Sequence, residues 1–177
     1  MTLVSQRLKE GVKSLFDKLA AMKEPAESMG KAKAVAKMVG PQTSVAVTAG
    51  FSVASDEPES LDGRMTAPYP SFLFAASIGL AENVIFARQA ALYGVDFDSY
   101  ETTVEGLWDM KGMFGQDGRS PAMNEFHIET RITTGAPTEK MAELLRLTND
   151  RCPMTTTVAK AATISRKLFV NGAEVKV

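Results

Sequence analysis

The chain holds one cysteine, Cys152, in the run Asn149-Asp150-Arg151-Cys152-Pro153-Met154. Proline is favoured at the first position of a helix, so Pro153 marks a helix start with the thiol just ahead of it. The partial positive charge of that helix end and the neighbouring Arg151 would favour a thiolate if the side chain is partly exposed. The same sulfur serves equally well as a small buried hydrophobe at a helix cap, a setting that Met154 supports. A lone sulfur excludes an intrachain disulfide, so thiol chemistry here needs an outside thiol or a second copy of the chain.

Two other residues carry chemistry. Glu82 is an ionisable group in the middle of a mostly apolar stretch, with Asn83 and Arg88 close enough along a helix to partner it. Either it meets a polar neighbour or solvent at an interface, or it lines a pocket where burial penalises its charge and it polarises a ligand. His127 is the sole histidine, and strand alternation sets it opposite Phe126 and Ile128, toward solvent or a second chain. To act in catalysis it needs a nucleophile or carboxylate close by, which the sequence does not locate.

Composition excludes several functions. One histidine and one cysteine cannot furnish the three or four ligands of a zinc site without several carboxylates, so no metal or other cofactor is expected. A net charge of −1 argues against a nucleic-acid partner, which calls for a basic face. No segment approaches the roughly 20 uninterrupted apolar residues of a membrane span. Charges at Arg7, Lys9, Glu10 and Lys13 interrupt the start as a secretory leader would not, so the expected compartment is the cytoplasm and no membrane partner is expected. Gly112, Gly115 and Gly118 lie between strands, where they make no phosphate-binding turn.

The elements that must position these residues follow from spacing. Leu8, Val12, Leu15, Leu19 and Met22 make one stripe of an amphipathic helix over 2–23, for packing or for docking a partner. A second, weaker helix is expected over 27–39, closed by Gly40-Pro41. Alternation predicts a strand over 43–55 with a break at Gly50, then a loop over 56–70. The longest element is a helix over 70–93, with Leu73, Ala76, Leu80, Val84, Ala87 and Ala91 on one face and further apolar residues around it. It is expected to be buried nearly all round. Strands over 100–109 and 124–133 follow, then helices over 138–149 and 152–160. Strands over 163–170 and 173–177 close the chain across the hairpin turn Asn171-Gly172.

A long helix opened by Pro70-Ser71-Phe72-Leu73-Phe74-Ala75-Ala76, two strands, a helix and a Cys152-Pro153 helix start together resemble the OsmC/Ohr family. The resemblance covers about 43–170. It implies an OsmC-like domain over 41–177 behind an N-terminal helical extension over 1–40. The implied fold is α+β in two layers, a long buried central helix wrapped by curved antiparallel sheet, in an intertwined homodimer. Family members reduce organic hydroperoxides with an attacking and a resolving cysteine. Counted along the helix start, the attacking position falls at Ala81, and the acidic residue that the family carries after the opening proline is absent at Ser71 and Phe72. Only the resolving position, Cys152, remains. The resemblance therefore implies a divergent member that binds a hydrophobic or peroxide-like small molecule near Ala81, Glu82 and Arg151. The alternatives are a one-cysteine peroxidase recycled by an external thiol reductant, and a non-catalytic interaction protein.

Overall fold

In the computed structural model, which describes residues 2–175, the elements run α1 (Gln6–Ala20), β1 (Ala34–Met38), β2 (Ser44–Thr48), β3 (Phe51–Ser55), α2 (Pro70–Leu92), β4 (Ser99–Leu107), α3 (Met110–Met113), β5 (Glu125–Thr133), α4 (Thr138–Arg151), α5 (Pro153–Val158), β6 (Thr163–Val170) and β7 (Ala173–Val175). Two compact units result. One comprises Leu19–Ala76, and the other joins the start of the chain through Lys18 to everything from Ser77 onward.

The smaller unit is built on an antiparallel sheet of order β1-β2-β3. The expected helix over 27–39 is corrected here: residues 25–28 form a single 3-10 turn and Ala34–Met38 a strand. Its helical pattern was weak, and pairing with β2 supplies every residue from Ala34 to Met38 with a partner across the ladder, so tertiary pairing overrides local preference. The break at Gly50 is a two-residue hairpin turn. Ala49 and Gly50 both have positive φ, at 49° and 83°, which is the geometry whose twist matches the flanking strands.

The loop that follows is organised by one carboxylate. Asp56 accepts hydrogen bonds from Thr66 Oγ1 at 2.7 Å, Thr66 N at 3.1 Å, Glu57 N at 2.9 Å, Thr43 Oγ1 at 3.0 Å and Arg64 N at 3.3 Å. Close packing of the loop forbids a side chain at Gly63, where a Cβ would lie 1.8 Å from Glu57 O. The Thr66 hydroxyl, then the backbone donors and Thr43, hold the Asp56 carboxyl well below the ordinary carboxylate range. A folded-state value below the unfolded one, about 3.9 for aspartate, means stability that is complete above that value and drains away as pH falls below it. Asp56→Asn is therefore expected to lower the midpoint of urea unfolding at pH 7 and to flatten its decline below about pH 4. Parallel acid declines in wild type and variant would refute this role.

In the larger unit the sheet order is β4-β5-β6-β7. It is mixed, which corrects the expectation of a purely antiparallel sheet: β5 and β6 run parallel, because α4 and α5 carry the chain back to the same end before β6 begins. Phe126, Ile128, Thr130 and Ile132 alternate inward on β5 as their spacing predicted. Asn171 and Gly172 turn β6 into β7 with φ of 50° and 84°. Residues 176–177 of the expected last strand lie outside the described residues. The main core gathers Phe86, Phe97, Met141, Leu144, Leu145 and Leu168, with Phe86 stacked near Tyr100 at a ring separation of 4.3 Å. Only the first half of the α1 stripe takes part, through Leu8 and Val12, whereas Leu15, Phe16 and Leu19 are exposed.

α2 departs from expectation in its orientation and in its burial, which is one-sided and not nearly all round: Phe72 and Phe74 are exposed. Its buried residues include Ile78, Glu82, Phe86 and Gln89, spaced four, four and three apart, whereas Leu80 and Val84 of the expected inward face are 67% and 49% exposed. A helix apolar on every side gives no phase to its periodicity, so the polar residues it must satisfy set which side turns in. By length and composition alone α2 is long and apolar enough to cross a membrane. Its inward carboxylate and amide are nevertheless tied to arginines on β6 and α4.

Candidate functional site

Glu82 is fully buried, at 0% exposure, in a helix whose other inward residues are mostly apolar. Its charge is met by a fork. Arg166 Nη2 donates to Oε1 at 2.7 Å and Nη1 to Oε2 at 3.1 Å, while Thr155 Oγ1 donates to Oε1 at 2.6 Å. The planar guanidinium suits two parallel bonds to one carboxylate, which adds direction to the charge attraction. Each partner is placed by its own element. Arg166 sits at an inward position of β6, opposite Ile128, and Thr155 lies in the first turns of α5, behind Pro153.

Nearby polar groups extend this cluster. Thr102 Oγ1 donates to Asn83 Oδ1 at 2.8 Å, so Asn83 serves β4 and not Glu82, and Arg88 is exposed; neither is the partner the sequence suggested. Burial first, and the Glu82 charge second, push the Tyr100 hydroxyl far above its ordinary range, which keeps it protonated. The Tyr100 and Thr130 hydroxyls are both buried without a hydrogen-bond partner of normal geometry among the described residues. On the outward side, Thr155 and Arg166 line a cavity of about 420 Å³ together with Asn149, Thr156 and Lys160. Asp150 completes the charged lining, and the Asn149 Oδ1 atom is buried behind it with no donor among the described residues.

Cys152 occupies the joint between α4 and α5, with its N–H on Thr148 O at 2.8 Å and its carbonyl accepting from Thr156 N at 2.9 Å. Its exposure is 0%. Arg151 turns its guanidinium to the Gln89 amide oxygen on α2. Ala81 is partly buried next to Glu82. The bonds from Glu82 to Thr155 and from Gln89 to Arg151 bracket the joint, so α2 and the Cys152 region form one cluster. Sequence reasoning missed Arg166 and Thr155. An arginine in alternation with Leu168 and Val170, on the apolar side of β6, was the available signal, because a charge on a buried face must find a counter-charge.

A family model for OsmC-like proteins matches residues 62–167, more than half of the chain. The chain belongs to the OsmC-like protein family. Solved OsmC-like structures share the fold. An OsmC-like protein from Mycoplasma pneumoniae superposes with a TM-score of 0.70 at 13% identity, covering 80% of this chain and 97% of its own. An organic hydroperoxide resistance protein OsmC from Legionella pneumophila gives 0.60 at 16%, covering 81% and 98%. A putative organic hydroperoxide resistance protein from Vibrio cholerae, with captopril bound in one of the active sites, gives 0.58 at 18%, covering 87% and 100%. No curated protein matches the sequence. In this OsmC-like chain the family's α+β architecture is present, with a buried ion pair beside Ala81.

Proposed function

We propose that this OsmC-like protein is a cytoplasmic homodimer that binds a small hydroxyl- or hydroperoxide-bearing organic molecule without running the family's two-thiol reduction. The observation that carries this reading is the Glu82–Arg166–Thr155 cluster, whose two donor residues line the cavity. An alanine at position 81 offers no nucleophile, and the buried sulfur of Cys152 alone cannot complete a cycle that needs an attacking and a resolving thiol. What remains is a polar floor for a ligand. The guanidinium and Lys160 suit an oxygen acceptor, and the exposed Asp150 carboxylate on the same wall suits an O–H donor, the two ends of a hydroperoxide or alcohol group. Dimer formation is supported by apolar side chains left uncovered in the single chain, Leu80 and Val84 on α2 and Phe51 and Val53 on β3.

The test combines turnover with binding. Purified protein with cumene hydroperoxide and a dithiol is expected to consume no peroxide above the protein-free rate, while cumyl alcohol raises the melting temperature in wild type and not in Asp150→Leu. Sedimentation should give twice the chain mass of 19.1 kDa. Peroxide consumption abolished by Cys152→Ala would instead establish the one-cysteine peroxidase with an external thiol reductant.

A further inference from the structure

On the outward face of the β4–β7 sheet, parallel pairing sets His127 of β5 directly beside Ser165 of β6, and Glu125 lies two residues before His127 on the same face. Ser165 Oγ contacts His127 Nδ1, and His127 Nε2 lies 2.9 Å from Glu125 Oε1. The carboxylate takes the Nε2–H, which selects the tautomer whose Nδ1 lone pair faces the serine hydroxyl. A hydroxyl, a base and a carboxylate that orients the base, each within bonding reach of the next, is the arrangement that activates a serine nucleophile. Because all three stand on paired strands, their spacing is held by the ladder and not by a loop.

We propose that Ser165, His127 and Glu125 form a second reactive site, in which Ser165 accepts acyl groups from small activated esters that are uncharged or cationic. A cavity of about 270 Å³ opens on Ser165 and His127, with Thr103, Glu105, Glu129 and Lys167 around it. Its volume fits a short acyl group. Glu105 repels an anionic substrate, Glu129 is paired with Arg131, and Lys167 is the lining cation placed to face a developing oxyanion. In the first half-reaction the Ser165 proton passes to His127 Nδ1 as Oγ bonds to the acyl carbon. The ester C–O bond then breaks, and the departing alcohol takes the proton from Nδ1. In the second, water adds to the acyl carbon and gives a proton to Nδ1, and the carboxylic acid leaves as the Ser165 hydroxyl is restored. The sheet N–H groups are committed to the ladder, so one ammonium carries oxyanion stabilisation and turnover is slow. This site shares no residue with the Glu82 cluster, since Arg166 points inward between the outward Ser165 and Lys167.

Full-length protein treated with an uncharged fluorophosphonate is expected to gain a single adduct that peptide mapping places on Ser165. His127→Gln should slow that labelling at least about 100-fold, and Glu125→Gln about 10-fold or more, with native circular dichroism in both. Cys152→Ala should leave it unchanged. Hydrolysis of 4-nitrophenyl acetate should fall in the same order and vanish in Ser165→Ala. No adduct on Ser165, or equal labelling in folded His127→Gln, overturns the proposal. Neither result touches the ligand reading of the Glu82 cavity, which is read by melting with cumyl alcohol.

Discussion

Arg166→Ala is expected to destabilise the protein by about 3–5 kcal/mol, read from guanidinium unfolding midpoints at pH 7 with an unchanged m-value. The reason is asymmetry. The Arg166 side chain is 12% exposed and Glu82 0%, so the truncation leaves a carboxylate in the core with Thr155 as its only donor in the cluster. Removing both charges behaves differently, because each charge loses hydration on burial and their attraction only offsets that loss. A Glu82→Leu, Arg166→Met double variant should therefore fall within about 1 kcal/mol of wild type, or exceed it. If the single variant costs less than about 1 kcal/mol, water reaches the pair and the cluster is not a dry polar floor for a ligand. A destabilised double variant would point instead to the shape of the pair.

Iodoacetamide should alkylate Cys152 in the native protein at least about 100-fold more slowly than in the unfolded chain at the same pH, since reaction must wait for an opening of roughly 3 kcal/mol or more. Full burial of Cys152 sets this expectation. Its surroundings deepen it. The joint is closed on one side by backbone bonds to Thr148 and Thr156, and Arg151, the cation meant to favour a thiolate, is engaged by Gln89. A native rate equal to that of the unfolded chain would restore Cys152 as an accessible thiol and favour the one-cysteine reading. A rate that rises in Gln89→Ala would identify the Gln89–Arg151 bond as what keeps the joint shut.

The legible features were those with strong local chemistry. Pro70 and Pro153 start α2 and α5, Asn171-Gly172 makes the last hairpin, and the alternation of Phe126, Ile128, Thr130 and Ile132 shows the inward face of β5. Residues 34–38 are ambiguous in sequence because Ala, Val and Lys suit either a weak helix or a strand, and the choice belongs to β2, their partner across the hairpin. The facing of α2 was hidden for a related reason. Its apolar residues surround the helix, so only the need of Glu82 and Gln89 for buried partners orients it.

From its sequence alone, then, this protein is determined to be an OsmC-like α+β chain with one thiol, an alanine at position 81 and a carboxylate at Glu82 in a mostly apolar stretch. Tertiary structure alone decided that Glu82 meets Arg166 from 84 residues away and that His127 meets Ser165 from 38. Local propensity acts over a few residues, whereas both pairings are made by the β5–β6 crossover and its register. Shifting that register by one residue would turn Arg166 outward and Ser165 in, removing both sites at once.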